Sequence, residues 1–217
     1  QCQETAQNTG CTKAGVCGKK ASTAILQDAL LFVSKGLAIV GEEHKGNEEV
    51  PVVIMQNLFT TITNANFDDE AILKRIHLTM DLRDHLLEDK SITSTFKGLT
   101  YNEREMETIL KDASTFSILS EENEDLRSLK ELTMYGLKGL CAYEDHARKL
   151  GFRDEEIESF VMKTLKELTE EHDADFFTAL VLKTGEMGVK TMALLDEANT
   201  STYGHPEVTE VNIGTNN

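Results

Sequence analysis

Only two prolines, Pro51 and Pro206, fall in 217 residues, and nothing else in the chain constrains its fold as strongly. Proline is the residue that most forcefully ends a helix, so nearly the whole chain is open to one. The apolar spacing uses that freedom. In residues 22–45, Ile25, Leu26, Ala29, Leu30, Val33, Leu37 and Val40 recur along one helical face. Pro51 stands where a second helix can begin, since its missing N–H costs nothing in a first turn. Asp68 can cap a third helix that runs to about Glu88 through Ile72, Leu73, Ile76, Met80 and Leu87.

Residues 89–102 read as a connector, with a shorter helix expected near 103–115. Asn123 can cap the next long helix. Glu124 and Asp125 fall in its first turn, where the helix dipole favours them, and Gly151 ends it. Asp154 and Asp173 open two more, the last running through Glu197. Strand patterning is almost absent until VTEVNI near the end.

The expected fold is therefore all-α. It divides into a cysteine-rich loop at 1–21, a three-helix bundle at 22–89, a connector at 90–122 with a possible short helix, a second three-helix bundle at 123–199, and a tail at 200–217. Each bundle is expected to close on its own apolar seam. The tail is extended or forms one orphan strand. A lone strand is not stable, so a β-containing domain is expected to follow and the chain is expected to be a fragment. KGLA at 35–38 is echoed by KGLC at 138–141, each followed by two acidic residues and a histidine, which is compatible with a duplicated plan.

The net charge of −16 disfavours nucleic acid and anionic membrane as partners. No run of about 20 apolar residues is evident, so no membrane span is expected. Four cysteines in a chain of this size do not make a secreted disulfide scaffold, and a reducing, cytoplasmic setting is expected. Phosphate-cradling and nucleophile-elbow motifs are absent.

Three of those cysteines, Cys2, Cys11 and Cys17, sit in QCQETAQNTGCTKAGVCGKK at the start. Gly10, Gly15 and Gly18 free the backbone there to bring N–H groups toward sulfur, and Lys13, Lys19 and Lys20 can offset negative charge. The spacing suits an iron–sulfur cluster, but one of the usual four ligands is missing. Zinc, a Cys11–Cys17 disulfide and an uncommitted N-terminal arm stay open on the same residues. Cys141, mid-helix among Leu140, Ala142 and Tyr143, reads as a small buried hydrophobe. None of the six histidines has a glutamate three residues before it, which excludes a carboxylate-bridged di-iron bundle, and they are assigned to solvated faces. Gly36, Gly136, Gly139, Gly185 and Gly188 are expected to permit close helix packing.

QCQET, NTGCT and GVCGK, followed by LQDALLFVSKGLAI, NLFTTITNANFDD, ENEDLRSLKEL, YGLKG and MALLDEANTSTYGHPEVTEVNIG, resemble the N-terminal part of the hybrid cluster protein family. Its members are also called prismane proteins or hydroxylamine reductases. The resemblance covers essentially the whole chain. It implies an all-helical first domain of two three-helix bundles, with Cys2, Cys11 and Cys17 as ligands of a [4Fe–4S] cluster that relays electrons. The fourth cysteine is expected three residues before Cys2, upstream of Gln1. It also implies two further α/β domains. The ligands of the hybrid iron–sulfur–oxygen cluster, where hydroxylamine or nitric oxide is reduced, would lie beyond residue 217. A redox protein would donate the electrons. The chain by itself is expected to hold no complete cluster, to have residues 1–18 weakly anchored, and not to turn over hydroxylamine. The alternative is a helical interaction module whose cysteines bind zinc or no metal.

Overall fold

The computed structural model describes residues 10–88, 92–211 and 213–214, so Cys2 lies outside the described residues. Among the described residues the chain is all-α. The α-helices are α1 (Ala21–Glu43), α2 (Glu49–Thr60), α3 (Asp69–Leu87), α4 (Met106–Lys111), α5 (Ala113–Phe116), α6 (Glu124–Lys149), α7 (Glu155–Glu167) and α8 (Ala174–Tyr203). Ala14 and Lys20 form an isolated β-bridge.

The helix starts are chemical, not incidental. The Asp68 carboxylate accepts from the backbone N–H of Glu70 and Ala71. Asn123 does the same for Asp125 and Leu126, Asp154 for Glu156 and Ile157, and Asp173 for Phe176. Each cap satisfies donors that the first turn leaves orphaned, worth about 1 kcal/mol.

Helix α8 continues past Glu197 to Tyr203, where the polar run was expected to break it. The reason is local. Asn199 Nδ2 donates to the Leu195 carbonyl and Thr200 Oγ1 to that of Asp196, so these side chains bond to the preceding turn instead of leaving it. Gly204, at φ 83°, ends the helix. Residues 205–211 are exposed and form neither helix nor strand, so the tail is not a strand over its described part.

Helix α1 is the axis of the packing, lying against α2, α3 and α7, while α6 pairs with α8 and α2. The larger core cluster takes Leu37, Val40, Ile54 and Leu58 from the first half and Leu137, Cys141, Ile157 and Val161 from the second. A smaller cluster joins Leu26, Leu30, Ile72, Ile76 and Ile109. The two halves therefore share a core and do not each close on a seam of their own. The cause is α1 itself, which is apolar nearly all round and needs neighbours on several sides. It is long and apolar enough to cross a membrane, contrary to the sequence expectation, yet 78% of that apolar window is buried inside the protein.

The connector is a strap. Its 3-10 turn at Lys97–Leu99 packs on α1. Phe96, Tyr101 and Phe116 surround Phe32 of α1 at centroid distances of 4.8, 5.9 and 5.2 Å. Of the helix glycines, Gly36 faces the Gly98 backbone and Gly136 faces Thr184, whereas Gly139, Gly185 and Gly188 face open space. The close-packing expectation holds for the first two alone.

A buried ion network ties α6 to α7. Arg148 pairs with Glu144 at 3.1 Å and with Glu158, and Arg153 bridges Glu158 at 2.8 Å and Glu48 at 2.6 Å. Glu144 is fully buried, and its Oε2 has no partner among the described residues. Burial raises its pKa; Arg148 opposes the shift and Glu158 adds to it. An acid whose folded pKa is raised favours the native state least above its ordinary range. Its unfavourable contribution therefore grows as pH rises through that range toward the folded pKa. Glu144→Gln is expected to be about 1 kcal/mol more stable than the parent at neutral pH, with the gain shrinking under mildly acidic conditions. Urea unfolding at several pH values checks both sign and trend.

Candidate functional site

The loop before α1 is a closed turn. Gly15 N–H donates to the Lys19 carbonyl at 2.9 Å, and Gly18 N–H to that of Gly15 at 3.0 Å. Residues 11–18 thus form a closed turn with Cys11 buried, while residues 1–9, which the weak-anchoring expectation also covers, lie outside the described residues. Those two N–H groups close the turn and do not point to sulfur, as the sequence reading had them do. Cys11 is 5% exposed and Cys17 is half-buried. A Cβ built on Gly15 would stand 3.1 Å from Cys17 Sγ and 3.3 Å from Cys11 Sγ. Both sulfurs thus converge on one spot, and a side chain at position 15 would crowd them.

Both cysteines line a cavity of about 220 Å³ that is also bounded by Lys19, Gln27, Tyr135 and Lys138. The loop, α1, the link after α2 and α6 all contribute. Of the three lysines singled out in the sequence, Lys13 and Lys20 are exposed and Lys19 alone lines this cavity. Lys19 Nζ donates to Gln27 Oε1 at 2.6 Å, and Gln27 Nε2 donates to the Asn66 carbonyl at 3.0 Å. That chain fixes one cation at the cavity wall.

The second cation there was not anticipated as a site residue. Lys138 is 8% exposed. Its ammonium lies 5.8 Å from the Tyr135 ring centroid. Loss of hydration lowers its pKa to about 8; Glu131 and Asp28 pull it up, and Lys19 and Lys35 push it further down. A signal existed in the sequence. Lys138 follows Met134 by four residues and sits between Leu137 and Cys141, so it interrupts a buried stripe, where a lysine is rare. Its echo in the first half, Lys35, also has its pKa lowered by burial, against the same two acids.

Cys141 is fully buried in the core cluster and apart from the cavity lining. Burial pushes its thiol well up, with Glu144 and Asp145 adding to the shift, as suits a small core hydrophobe. His85, His146 and His205 are exposed. His77 and His172 are half-buried and hydrogen-bonded, to the Arg104 carbonyl and to Glu167, so the solvated-face assignment is too simple for them.

Two converging sulfurs in a cavity that two buried ammonium groups also line form a site for an anionic group bound through thiolates. Deprotonated cysteines with iron and sulfide supply that charge, and the cavity gives such a group room, so the residues present fit an iron–sulfur cluster.

Across residues 1–217 the sequence matches the model of the Prismane/CO dehydrogenase family. It is 52% identical to a hydroxylamine reductase of Clostridium perfringens, over 100% of this chain and 42% of that protein. It is 47% identical to one of Methanococcus vannielii, over 100% of this chain and 42% of the relative. For one of Porphyromonas gingivalis the figures are 50%, 99% and 41%. The chain therefore spans about 42% of the length of the curated relatives it matches. With a family match that runs from the cysteine loop through all the helices, the chain belongs to the prismane/CO dehydrogenase family.

Proposed function

We propose that this chain is the domain through which electrons enter a hydroxylamine reductase. In this reading Cys2, Cys11 and Cys17 supply three thiolate ligands of a [4Fe–4S] cluster at the cysteine cavity. The observation that carries it is the convergence of the Cys11 and Cys17 sulfurs at a cavity whose wall also holds the buried Lys19 and Lys138. When bound, the cluster supplies one-electron transfer. The chain's own residues do the rest. The turn closed by Gly15 and Gly18 holds two sulfurs in register, and Lys19 is pinned by Gln27 at the wall. The apolar neighbours Ala24 and Ile62 limit access of water.

The parent reaction takes hydroxylamine, two electrons and two protons to ammonia and water, with nitric oxide as a second substrate. We place that chemistry, and the hybrid iron–sulfur–oxygen cluster, in the part of the relatives' length that this chain does not span. The chain alone is expected not to reduce hydroxylamine. Its partners would be a redox protein as electron donor and the remaining α/β domains, in a cytoplasmic setting. An exposed apolar row on α8, made of Leu182, Val189 and Met192, supports docking of those domains.

The test is anaerobic reconstitution of the chain with ferrous iron, sulfide and an excess of small thiol, which supplies the remaining ligand. The expected result is a brown protein with iron and sulfide in near-equal amounts and a paramagnetic signal on reduction. A colourless protein that takes up zinc in place of iron would favour the helical interaction module.

A further inference from the structure

Helix α6 carries two glycines, Gly136 and Gly139, where alanine would make a better helix. Packing accounts for the first, because a Cβ at Gly136 would stand 2.6 Å from Thr184 of α8. It does not account for the second, where a Cβ would meet no protein atom within 4 Å. Nor does the backbone call for glycine there, since Gly139 lies inside a continuous helix and its φ is not positive. Backbone entropy favours a larger residue at such a position. The glycine therefore costs stability that no contact within the described residues offsets.

The space before Gly139 is the cysteine cavity. Tyr135, Lys138 and Gly139 follow one another at three- and four-residue spacing from Tyr135, so they share one face of α6, and all three line the cavity. Gly139 is the small member of that face, and a side chain added there would extend into the cavity. The same cavity holds the two sulfurs that converge on Gly15. Position 15 is likewise a glycine without positive φ, so the room beside the sulfurs, and not the backbone, is what a side chain there would disturb. Gly18 differs, because its φ of 89° is reason enough for glycine.

We propose that Gly139 decides which inorganic group the cysteines take: the space it leaves on α6 admits an extended iron–sulfur cluster where a single zinc ion would otherwise serve. This rests on the cluster reading given above. Cysteine thiolates suit both metals, so the ligands alone do not choose between them. Size does. A zinc ion lies about 2.3 Å from each sulfur and needs little room beyond its ligands. A cluster brings further iron and sulfide atoms behind the iron that each thiolate meets, and these must fit in the cavity. A side chain at position 139 would occupy that room while leaving both cysteines in place. Gly139 thus acts on specificity through space and is not a catalytic residue.

The experiment compares the parent chain with Gly139→Ala, Gly139→Leu and Gly185→Ala. Gly185 also meets open space, but on α8 and outside the lining of this cavity. Each protein is given, in separate anaerobic samples, ferrous iron with sulfide and excess small thiol, or zinc with the same thiol. Bound iron, sulfide and zinc are measured as a chelator is added, and thermal unfolding is followed on the metal-free proteins. Gly139→Leu is expected to hold iron and sulfide about tenfold less tightly than the parent and to hold zinc equally well. Gly139→Ala is expected to show a smaller loss of iron and sulfide while melting about 2–4 °C higher without metal. Gly185→Ala is expected to leave the binding of both metals unchanged. Higher stability joined to weaker cluster binding at one position is a result that a merely structural glycine would not give.

A folded Gly139→Leu protein that retains iron and sulfide like the parent overturns the proposal. So does one that loses zinc and cluster alike, since position 139 would then support the cysteines and not the space before them. If Gly139→Leu does not fold, Gly139→Ala decides: weaker retention of iron and sulfide with zinc unchanged supports the proposal, and parent-like retention overturns it. A parent chain that takes up no iron and sulfide overturns the cluster reading itself, and this proposal falls with it.

Discussion

Gly36→Ala is expected to destabilise the protein by about 4 kcal/mol, lowering its melting temperature by roughly 10 °C. An added Cβ would stand 2.2 Å from the Gly98 carbonyl oxygen and 2.6 Å from its carbon. Both are backbone atoms, so no side-chain rotation relieves the clash, and the strap must lift. Gly98 is equally confined against the same helix, where a Cβ would meet the Phe32 carbonyl at 2.7 Å. Lifting also breaks the bond from Arg83 Nη1 to the Gly98 carbonyl, which is 2.8 Å long. Arg83 is 1% exposed, and its guanidinium bonds to that carbonyl and to Asp84. Losing a bond to a buried charged group adds about 2 kcal/mol to the overpacking cost. The sign is what makes the test sharp. Alanine is the better helix former by about 1 kcal/mol, so Gly185→Ala, which meets open space, is expected to be neutral or stabilising. Thermal unfolding of the two variants side by side decides it. A Gly36→Ala protein that melts with the parent would show that the strap is free to move.

That contrast also marks where the sequence was legible. The helix starts could be read because a cap is a local event: Asp68, Asn123, Asp154 and Asp173 each reach donors two or three residues on. The all-α class followed from the same local chemistry. What could not be read was which helices would meet. Residues 22–45 show an apolar face, but Phe32, Ala38 and Ile39 extend burial around the helix, which has the connector and α7 from the second half against it as well. Nor could spacing reveal that the glycine-poor stretch 89–122 returns Gly98 to Gly36. The candidate site divides in the same way. Cys11 and Cys17 stood out as a cluster of thiols six residues apart. Lys138 did not, because its role depends on a cavity assembled from the N-terminal loop and a helix more than 100 residues away. A lysine inside an apolar stripe was the available clue, and it is one of few that sequence gives to a long-range site.

Cys11→Ser and Cys17→Ser are each expected to reduce reconstituted iron by about tenfold or more while leaving the helical content intact. The two halves of that statement have different physical origins. Serine keeps the size of cysteine but offers a hard, weakly acidic hydroxyl where iron and sulfide call for a soft thiolate, so the loss falls on metal binding. The fold is spared because the turn is closed by backbone bonds of Gly15 and Gly18, and neither thiol is needed for them. Cys141→Ser is expected to behave in the opposite way. Cys141 is fully buried beside Leu137 and Leu140, far from a role in the cavity lining. A hydroxyl there costs roughly 1–3 kcal/mol if it finds no partner, yet iron uptake per folded molecule should match the parent. Iron and sulfide analysis together with urea unfolding on all three variants therefore separates ligands from a core thiol in one experiment. Full iron uptake by Cys17→Ser would remove that residue from the ligand set. Equal losses at all three positions would mean that metal binding follows general integrity of the fold and not the two sulfurs that converge on Gly15.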